Sequence, residues 1–375
     1  MRVSSLAITM AIGAASCASE PAPAPAAAEQ IVSGRLMAPE KVADHVWVMR
    51  QPDRLWSAVI GNVGIVEQSD GIVLIDSGGT IADGRDVLAA LGKLSPKPVK
   101  AVILTHWHND HPLGVPAILE RYPRARIIAT DTTARLMADP EVLGTGIGKV
   151  DQARAEARFK AVEERADAYL ASSRDASLPQ DIRREYATEA AWVLERGRRQ
   201  RENYTVLPTE TFTDRQLIDD PLAPLELLHL GRANTEGDAF VWLPRQKVMA
   251  SGDAVVLPTP YGFISPIDPW LQTLARLESY DFALLIPGHG KVQRDRSYLA
   301  TLRWSLEDIR RQARALAESS KTPEEALERF DRTEHRRRFA AADAWTRRWL
   351  DEYWLNGMAE TAIKAAMGMH ADQTS

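Results

Sequence analysis

A short run of histidines and aspartate constrains this chain more than any other feature. Directly after an apolar stretch, the sequence reads Thr-His-Trp-His-Asn-Asp-His at residues 105–111. Residues spaced by two at the end of a strand point to the same side, so His106 and His108 can converge, and Asp110 and His111 follow where the chain turns. Only 8 of the 375 residues are histidine, so chance is a poor explanation for this pattern. The motif predicts a metal site at the end of a strand.

Cysteine content decides which ligands a metal could have. The sequence has one cysteine, Cys17, so it can form neither an intramolecular disulfide nor a cysteine-based zinc cage. Imidazole and carboxylate are then the ligands zinc would take. Candidates stand where two further apolar runs end, with Asp253 after residues 247–251 and His289 after residues 283–286, each beside glycine. The sequence therefore predicts an open metal site at the rim of a sheet.

Charge and hydropathy limit the partners. The chain has 46 basic and 51 acidic side chains and a net charge of −5, with the two signs interspersed. Such a balance provides no basic field for a phosphate backbone, so nucleic acid is not expected as a partner. No stretch has transmembrane length. We expect a soluble globular protein that acts on a small-molecule substrate.

The first residues predict export. Arg2 precedes the apolar run 6–15, which is too short to cross a bilayer but has the length of a signal-peptide core. The preceding Ala-Ala-Ser makes Cys17 resemble a lipoprotein processing site, with alanine where leucine is usual, so Cys17 is a candidate lipid anchor. An ordinary cleaved signal is the alternative. We expect a signal peptide over 1–17, a Pro/Ala-rich linker over 18–38, and a periplasmic protein or a membrane-anchored lipoprotein.

The hydrophobic pattern predicts an α/β protein whose main domain spans 39–295, with a helical insertion at 139–203 and a helical C-terminal region at 296–375. The insertion is expected to be an exposed, solvated helical hairpin rather than a binding module, because its charges nearly cancel and scatter around the helices. Strands are predicted at 46–49, 57–66, 71–75, 99–104, 126–129, 225–230, 238–243, 247–251 and 283–286. Helices are predicted at 81–94, 112–121, 152–171, 181–199, 269–279, 294–318, 323–330 and 334–367, with Trp304, Trp345, Trp349 and Trp354 on buried faces.

These motifs, in this order, resemble the metallo-β-lactamase superfamily of hydrolases. The resemblance spans residues 44–290 and rests on Asp76-Ser77-Gly78, the run at 105–111, the segment 231–238, Asp253 and Gly288-His289-Gly290. It implies a four-layer αββα sandwich with a two-metal site at one edge of the paired sheets. The implied ligands are His106 and His108 for the first metal, Asp110, His111 and His289 for the second, and Asp253 as a bridging carboxylate. Asp76 is implied to orient the metal loop by hydrogen bonds.

One position departs from the family pattern. Asn234 stands where the family commonly has a histidine that completes the first metal site. An amide oxygen is a weaker and harder donor than imidazole, so we expect strong occupancy of the second site and conditional occupancy of the first, at His106, His108 and Asn234. His229 is an alternative ligand, although a hydrogen-bonded core histidine is the simpler interpretation. The remaining histidines, His45, His335 and His370, lie far from any motif and are expected at the surface.

The implied activity is metal-dependent hydrolysis. Zinc, as one or two ions, lowers the pKa of bound water from about 15.7 to near 7 and provides a hydroxide nucleophile; manganese and iron are also compatible. The hydroxide would cleave an ester-, lactone-, amide- or phosphodiester-type substrate, and Asp110 would hold its proton and pass it to the leaving group. Tyr261, in the segment 258–266, is a candidate for the roof of the substrate pocket; a plain surface loop is the alternative. The competing hypothesis is a catalytically impaired binding or scaffold lipoprotein, with Asn234 as the lesion.

Overall fold

The computed structural model describes residues 34–54, 56–340 and 343–369. The predicted signal peptide, Cys17, most of the linker and His370 lie outside these residues. Within the described part of the chain, no helix combines the length and hydropathy needed to cross a bilayer.

Two mixed β-sheets form the centre of the fold. The strands are β1 Glu40–Ala43, β2 Val46–Met49, β3 Val63–Glu67, β4 Ile72–Ile75, β5 Val99–Ile103, β6 Arg126–Thr130, β7 Gly146–Ile147, β8 Tyr204–Thr205, β9 Glu210–Phe212, β10 Arg215–Ile218, β11 Leu225–Leu228, β12 Phe240–Leu243, β13 Val248–Ala250 and β14 Leu284–Ile286. Among the described residues, the first sheet has the order β1-β2-β3-β4-β5-β6-β9 and the second β10-β11-β12-β13-β14, with β7-β8 as a small separate pair.

Parallel pairing at two places sets the position of the functional residues. β4 and β5 run parallel with Ile75 opposite Ile103, and β13 and β14 run parallel with Ala250 opposite Ile286. The carboxyl ends of parallel strands meet at one edge of a sheet. Residues that follow these four strands therefore emerge side by side.

The strands alternate their apolar side chains between two layers of core, as a period of two requires. In β4, Val73 and Ile75 face the second sheet, whereas Ile72 and Leu74 face the helices on the other side of the first sheet. Burial of each such side chain contributes about 1.5–3 kcal/mol. A third cluster, which includes Phe240, joins the second sheet to the C-terminal helices. The result is the predicted four-layer αββα sandwich.

The helices cover both outer faces of the sheets. They are α1 Ile81–Leu94, α2 Val115–Arg121, α3 Asp131–Met137, α4 Pro140–Leu143, α5 Gln152–Arg174, α6 Gln180–Gln200, α7 Ile267–Glu278, α8 Ser297–Ser319, α9 Pro323–Glu328, α10 Thr333–Phe339, α11 Ala344–Leu350 and α12 Asn356–Ala366. A 3₁₀ turn spans Gly252–Ala254 and a π-helical turn spans Asp351–Leu355.

The expectation of two exposed helices in the insertion is wrong for α6. The first helix, α5, is largely exposed, but Trp192 of α6 is fully buried and stacks on Trp56 at 4.1 Å between ring centroids. Arg196, one turn later, is also buried because it pairs with Asp83 of α1. Although charged residues are scattered along this helix, it has one apolar face, and that face packs on the core.

Several predicted boundaries also differ from the structure by a few residues. The strand expected at 57–66 begins only at Val63, because the backbone before it bonds to loops instead of a strand: Gly61 N–H donates to the carbonyl of Asp110 at 3.0 Å and Asn62 N–H to that of Gly288 at 2.7 Å. The helix expected at 112–121 begins at Val115, after a stretch of turns.

The C-terminal region packs on the second sheet as several helices in place of the long helix expected at 334–367. The helix is interrupted at Asp343, because its side chain accepts a hydrogen bond from the backbone N–H of Trp345 and caps a new helix. His335, expected at the surface, is fully buried. Its ring pairs with Ser305 Oγ at 3.0 Å and Asp308 Oδ2 at 3.1 Å, which satisfies both nitrogens.

Candidate metal centre

The ends of the parallel strands bring the predicted ligands together. His106 follows β5, Asp253 lies in the 3₁₀ turn after β13, and His289 follows β14. All three side chains are buried, at 0%, 3% and 4% exposure. The site therefore lies on the shared rim of the two sheets.

Asp253 stands between two groups of imidazoles. Its Oδ2 lies 3.5 Å from His106 Nε2 and 3.9 Å from His108 Nδ1. Its Oδ1 lies 3.3 Å from His111 Nε2 and 3.4 Å from His289 Nε2. One carboxylate thus presents a different oxygen to each group, which is the arrangement a bridging ligand requires.

Asp110 completes the second group. Its Oδ2 lies 3.0 Å from His289 Nε2 and 3.4 Å from His111 Nε2. The ligand atoms of Asp110, His111 and His289 lie within 4.8 Å of one another, as do those of His106, His111 and Asp253. These spacings suit donors that share a small cation.

Unpartnered buried atoms show that the residues fit a metal. His106 Nε2, Asp110 Oδ2 and Asp253 Oδ1 are buried and make no hydrogen bond of good geometry. Buried polar atoms normally have a hydrogen-bond partner, and a buried polar atom left without one costs about 1–3 kcal/mol of stability. Three such atoms on residues of the same histidine and aspartate cluster are the expected pattern for cation ligands.

The charges in the cluster are strongly coupled. Burial lowers the pKa of His289, but the carboxylates of Asp253 and Asp110 outweigh it and raise that pKa to about 9. The pKa of His111 is likewise raised well above its usual value by Asp110, Asp253 and Asp76, against the effect of burial. Burial raises the pKa of Asp110, but the two imidazoles hold it well below its usual value. The carboxylates therefore favour positive charge in the cluster, which a bound cation would supply.

Asp76 and Thr105 set the orientation of two histidines. Asp76 accepts from the backbone N–H and the hydroxyl of Thr105, each at 2.8 Å, and from His111 Nδ1 at 2.8 Å. The Thr105 hydroxyl pairs with His106 Nδ1 at 3.0 Å. Both rings therefore use Nδ1 for hydrogen bonding and leave Nε2 toward the cluster. Asp76 adopts φ +61°, an uncommon conformation for a residue other than glycine.

The helical insertion supports the loop that follows β4, a role that the sequence did not indicate. Arg196 forms a bidentate pair with Asp83, with both contacts at 2.8 Å. Asp83 Oδ2 also accepts from Gly79 N–H at 3.1 Å, and Asn203 Nδ2 donates to the carbonyl of Gly79 at 3.0 Å. A side chain at Gly79 would come within 2.8 Å of Cα of Asp110. The insertion thus holds the backbone on which Asp110 rests.

The loop with Asn234 is fixed by another residue whose role was not assigned. Asp238 accepts from the backbone N–H groups of Ala233 and Thr235, at 3.0 and 2.9 Å, and from the Thr235 hydroxyl at 2.7 Å. Asn234 is 8% exposed, and its Nδ2 is buried without a hydrogen bond. His229 is only half-buried, and its Nδ1 pairs with the carbonyl of Asp238 at 3.0 Å.

Tyr261 lies beside the cluster. Its ring is 6.2 Å from that of His108 in an edge-to-face arrangement. Burial raises the pKa of Tyr261, and the carboxylates of Asp110 and Asp253 raise it further. The phenol is therefore neutral and close to the charged group of ligands.

Comparison with known proteins gives matches over much of the chain. The profile of the metallo-beta-lactamase superfamily matches residues 56–289. A linear primary-alkylsulfatase of a Pseudomonas strain is 25% identical over 240 residues, which are 60% of this chain and 41% of the relative, so the chain spans less than half of that relative's length.

Two solved structures share the fold. A stereoselective inverting sec-alkylsulfatase from Pseudomonas sp. aligns with a TM-score of 0.57 and 18% identity over 88% of this chain and 49% of its own. A metallo-beta-lactamase from Pontibacter korlensis aligns with a TM-score of 0.50 and 20% identity over 73% of this chain and 99% of its own. With the profile match over more than half of its length and the histidine and aspartate cluster on the sheet rim, the chain belongs to the metallo-beta-lactamase superfamily.

Proposed function

We propose that this protein is a metal-dependent hydrolase that uses activated water to cleave an ester-, lactone-, amide- or phosphodiester-type substrate at the rim of its sheets. The observation that carries the proposal is the position of Asp253, whose two oxygens face two separate imidazole groups. A single buried carboxylate in that position suits a pair of cations better than a single one.

Zinc is the ion we propose, because the donors are imidazoles and carboxylates. His106, His108 and Asp253 would hold the first ion, and Asp110, His111, His289 and Asp253 the second. Bound there, zinc would lower the pKa of water from about 15.7 to near 7 and so supply a hydroxide nucleophile. The second group has four donors within short reach, whereas the first has an amide in place of its third imidazole. We therefore expect the second site to hold its ion more tightly.

Asp110 is proposed to move the proton. Among the carboxylates of the cluster it is the most open, with its side chain 13% exposed against 3% for Asp253. Its lowered pKa keeps it ionised at neutral pH, so it can accept the proton that the attacking water loses. As the bond to the leaving group breaks, the same carboxyl group can deliver that proton to the departing oxygen or nitrogen.

The test is hydrolysis by pure protein prepared with and without zinc. The panel contains a lactone, a carboxylic ester, a phosphodiester, a chromogenic β-lactam and an alkyl sulfate. We expect turnover of at least one substrate, lost on chelation and restored by zinc or manganese. Asp110→Ala should lower the rate by at least about a hundredfold.

The controls separate loss of chemistry from loss of fold. His108→Ala and His289→Ala should also lose activity. His45→Ala should keep it, because His45 is partly exposed and pairs with Glu67 rather than with a residue of the cluster. Activity retained in all three cluster variants would contradict the mechanism. Inertness with every metal would favour the binding or scaffold hypothesis.

Export and lipid attachment are proposed from the sequence of residues 1–17 alone. Fractionation of cells that produce the full chain should place it in the envelope, and Cys17→Ser should release it from the membrane fraction. A cytosolic wild-type protein would contradict export, and an unchanged distribution of the variant would contradict lipid attachment at this cysteine.

A further inference from the structure

A row of aromatic side chains runs from the metal centre toward the helical insertion. Tyr261 lies edge-on to His108 at 6.2 Å and stacks with Tyr353 at 5.9 Å. Tyr353 stacks with Trp349 at 4.9 Å, and Trp349 meets Trp345 edge-on at 5.4 Å. We name this row the aromatic wall; its members are Tyr261, Phe263, Trp345, Trp349 and Tyr353.

The end of the wall near the metal centre is fixed by the C-terminal helices. Gly262 N–H donates to the carbonyl of Tyr353 at 3.0 Å, and the Thr361 hydroxyl donates to the carbonyl of Phe263 at 2.8 Å. Tyr353 lies in the π-helical turn Asp351–Leu355, and turns of this kind are frequent at functional sites. The loop beside the metal centre is therefore held in place before any ligand arrives.

The far end of the wall reaches the insertion. Trp345 meets Tyr186 of α6 edge-on at 5.3 Å, and the guanidinium of Arg54 lies 5.7 Å from the Trp345 ring. Segments from three distant parts of the sequence thus meet in one aromatic cluster, whose buried far end supports the open end beside the metal centre. Neither the insertion nor the C-terminal region could provide it alone.

Only the end of the wall near the metal centre is partly open, because Trp345 and Trp349 are buried, at 5% and 1% exposure. Phe263 is 37% exposed and its neighbour Ile264 is 53% exposed, two of the few large apolar side chains exposed among the described residues. Tyr261 and Tyr353 are half-buried, and burial raises the pKa of both phenols, so they remain neutral. A ligand with a hydrocarbon surface would cover these exposed apolar groups and remove them from water, and this burial would stabilise the complex.

We propose that the open end of the aromatic wall, formed by Tyr261, Phe263 and Tyr353, binds the apolar part of the substrate, so that the enzyme prefers esters with a long hydrocarbon substituent to short-chain esters. The proposal rests on the proposed function, because it places the scissile bond at the metal centre. The wall begins next to His108, so a ligand bound along it would have one end at the metal centre. This position favours a substrate over a protein partner as the occupant. A second copy of the chain is the competing occupant.

The kinetic test compares p-nitrophenyl octanoate with p-nitrophenyl acetate as substrates of the zinc-loaded enzyme. Tyr353→Ala should raise KM for the octanoate about tenfold and change KM for the acetate less than about twofold. Tyr353→Phe should behave as wild type, since the wall uses the ring. Tyr280→Ala is the matched control, because Tyr280 is a half-buried tyrosine that packs edge-on against Trp242, outside the wall.

The binding test does not depend on hydrolysis. Calorimetric titration with octan-1-ol, which the enzyme cannot hydrolyse, should show binding to wild type and to Tyr280→Ala, and about tenfold weaker binding to Tyr353→Ala. If neither these esters nor any substrate of the panel is cleaved but this pattern holds, the proposed function fails, whereas the binding of apolar ligands by the wall stands. If esters are cleaved without preference for chain length and octan-1-ol does not bind, the wall proposal is overturned. A wild-type dimer that Tyr353→Ala dissociates in analytical ultracentrifugation would also overturn it, by assigning the wall to a subunit interface.

Discussion

Gly288→Ala should move the bridging carboxylate without removing any ligand. A Cβ at this position would lie 1.9 Å from Asp253 Oδ1 and within 2.8 Å of the backbone of residues 252 and 253. Non-bonded contacts of a Cβ do not fall below 3.0 Å, so the carboxylate must retreat by about an ångström. Metal sites tolerate ligand displacements of only about 0.2 Å. We expect zinc affinity to fall about tenfold to a hundredfold.

The assay is competition for zinc with a chromophoric chelator, together with urea unfolding of the metal-free protein. Crowding at position 288 should cost about 1–3 kcal/mol of stability, which the urea unfolding measures separately from zinc binding. Asp253→Asn, which keeps the shape and removes the charge, should lower zinc affinity without the crowding. Gly92→Ala is the control, because nothing lies within 4 Å of a Cβ there, and it should leave zinc binding unchanged. Wild-type zinc affinity in both Gly288→Ala and Asp253→Asn would refute the bridging role.

Further predictions concern the first metal site and two buried ionisable groups. Asn234→His should increase the zinc retained after dialysis against a weak chelator, measured by elemental analysis; an unchanged content would contradict the inference that the amide limits the first site. Burial raises the pKa of Asp220, but hydrogen bonds, the largest from Ser69, bring it down to about 2, so its contribution to stability is present above the unfolded pKa of 3.8 and is lost as pH falls toward 2. Asp220→Asn should therefore cost about 2 kcal/mol in urea unfolding at pH 7, while the exposed neighbour variant Asp219→Asn costs little; equal effects would contradict the assignment. Burial lowers the pKa of His335 below 6.5, so folding disfavours its charged form and stability falls as pH drops below about 6.5; His335→Gln should flatten urea-unfolding stability between pH 7 and 5, and an unchanged slope would assign the acid sensitivity elsewhere.

Sequence reasoning placed the candidate ligands because they obey a local rule. Asp253 and His289 each follow a short apolar run, and apolar runs of that length predict buried strands whose ends share an edge. The spacing of the histidines and aspartate within residues 105–111 indicates a metal site without any information from the rest of the chain. Both signals lie within a few residues, so the gathering of these side chains at one rim could be predicted without coordinates, whereas the four-layer αββα fold followed from the family resemblance.

Pairings between distant segments could not be predicted. The bond between Arg196 and Asp83 joins two charged residues that each look like ordinary surface groups, and nothing local shows that they are buried. His335 misled for the same reason, because a lone histidine gives no sign that Ser305 and Asp308 will satisfy its ring. Helical spacing correctly indicated that the C-terminal tryptophans are largely buried, but not that they pack against a loop at the metal centre.

The most direct test of the account is an anomalous diffraction measurement at the zinc edge on crystals grown with zinc. We predict a peak with Zn–N and Zn–O distances of about 2.0–2.2 Å to His111, His289, Asp110 and Asp253. A second, weaker peak should lie against His106 and His108, on the other side of Asp253. Zinc found only at other residues, with these side chains left without a metal, would contradict the central claim that the cluster on the sheet rim is the metal centre.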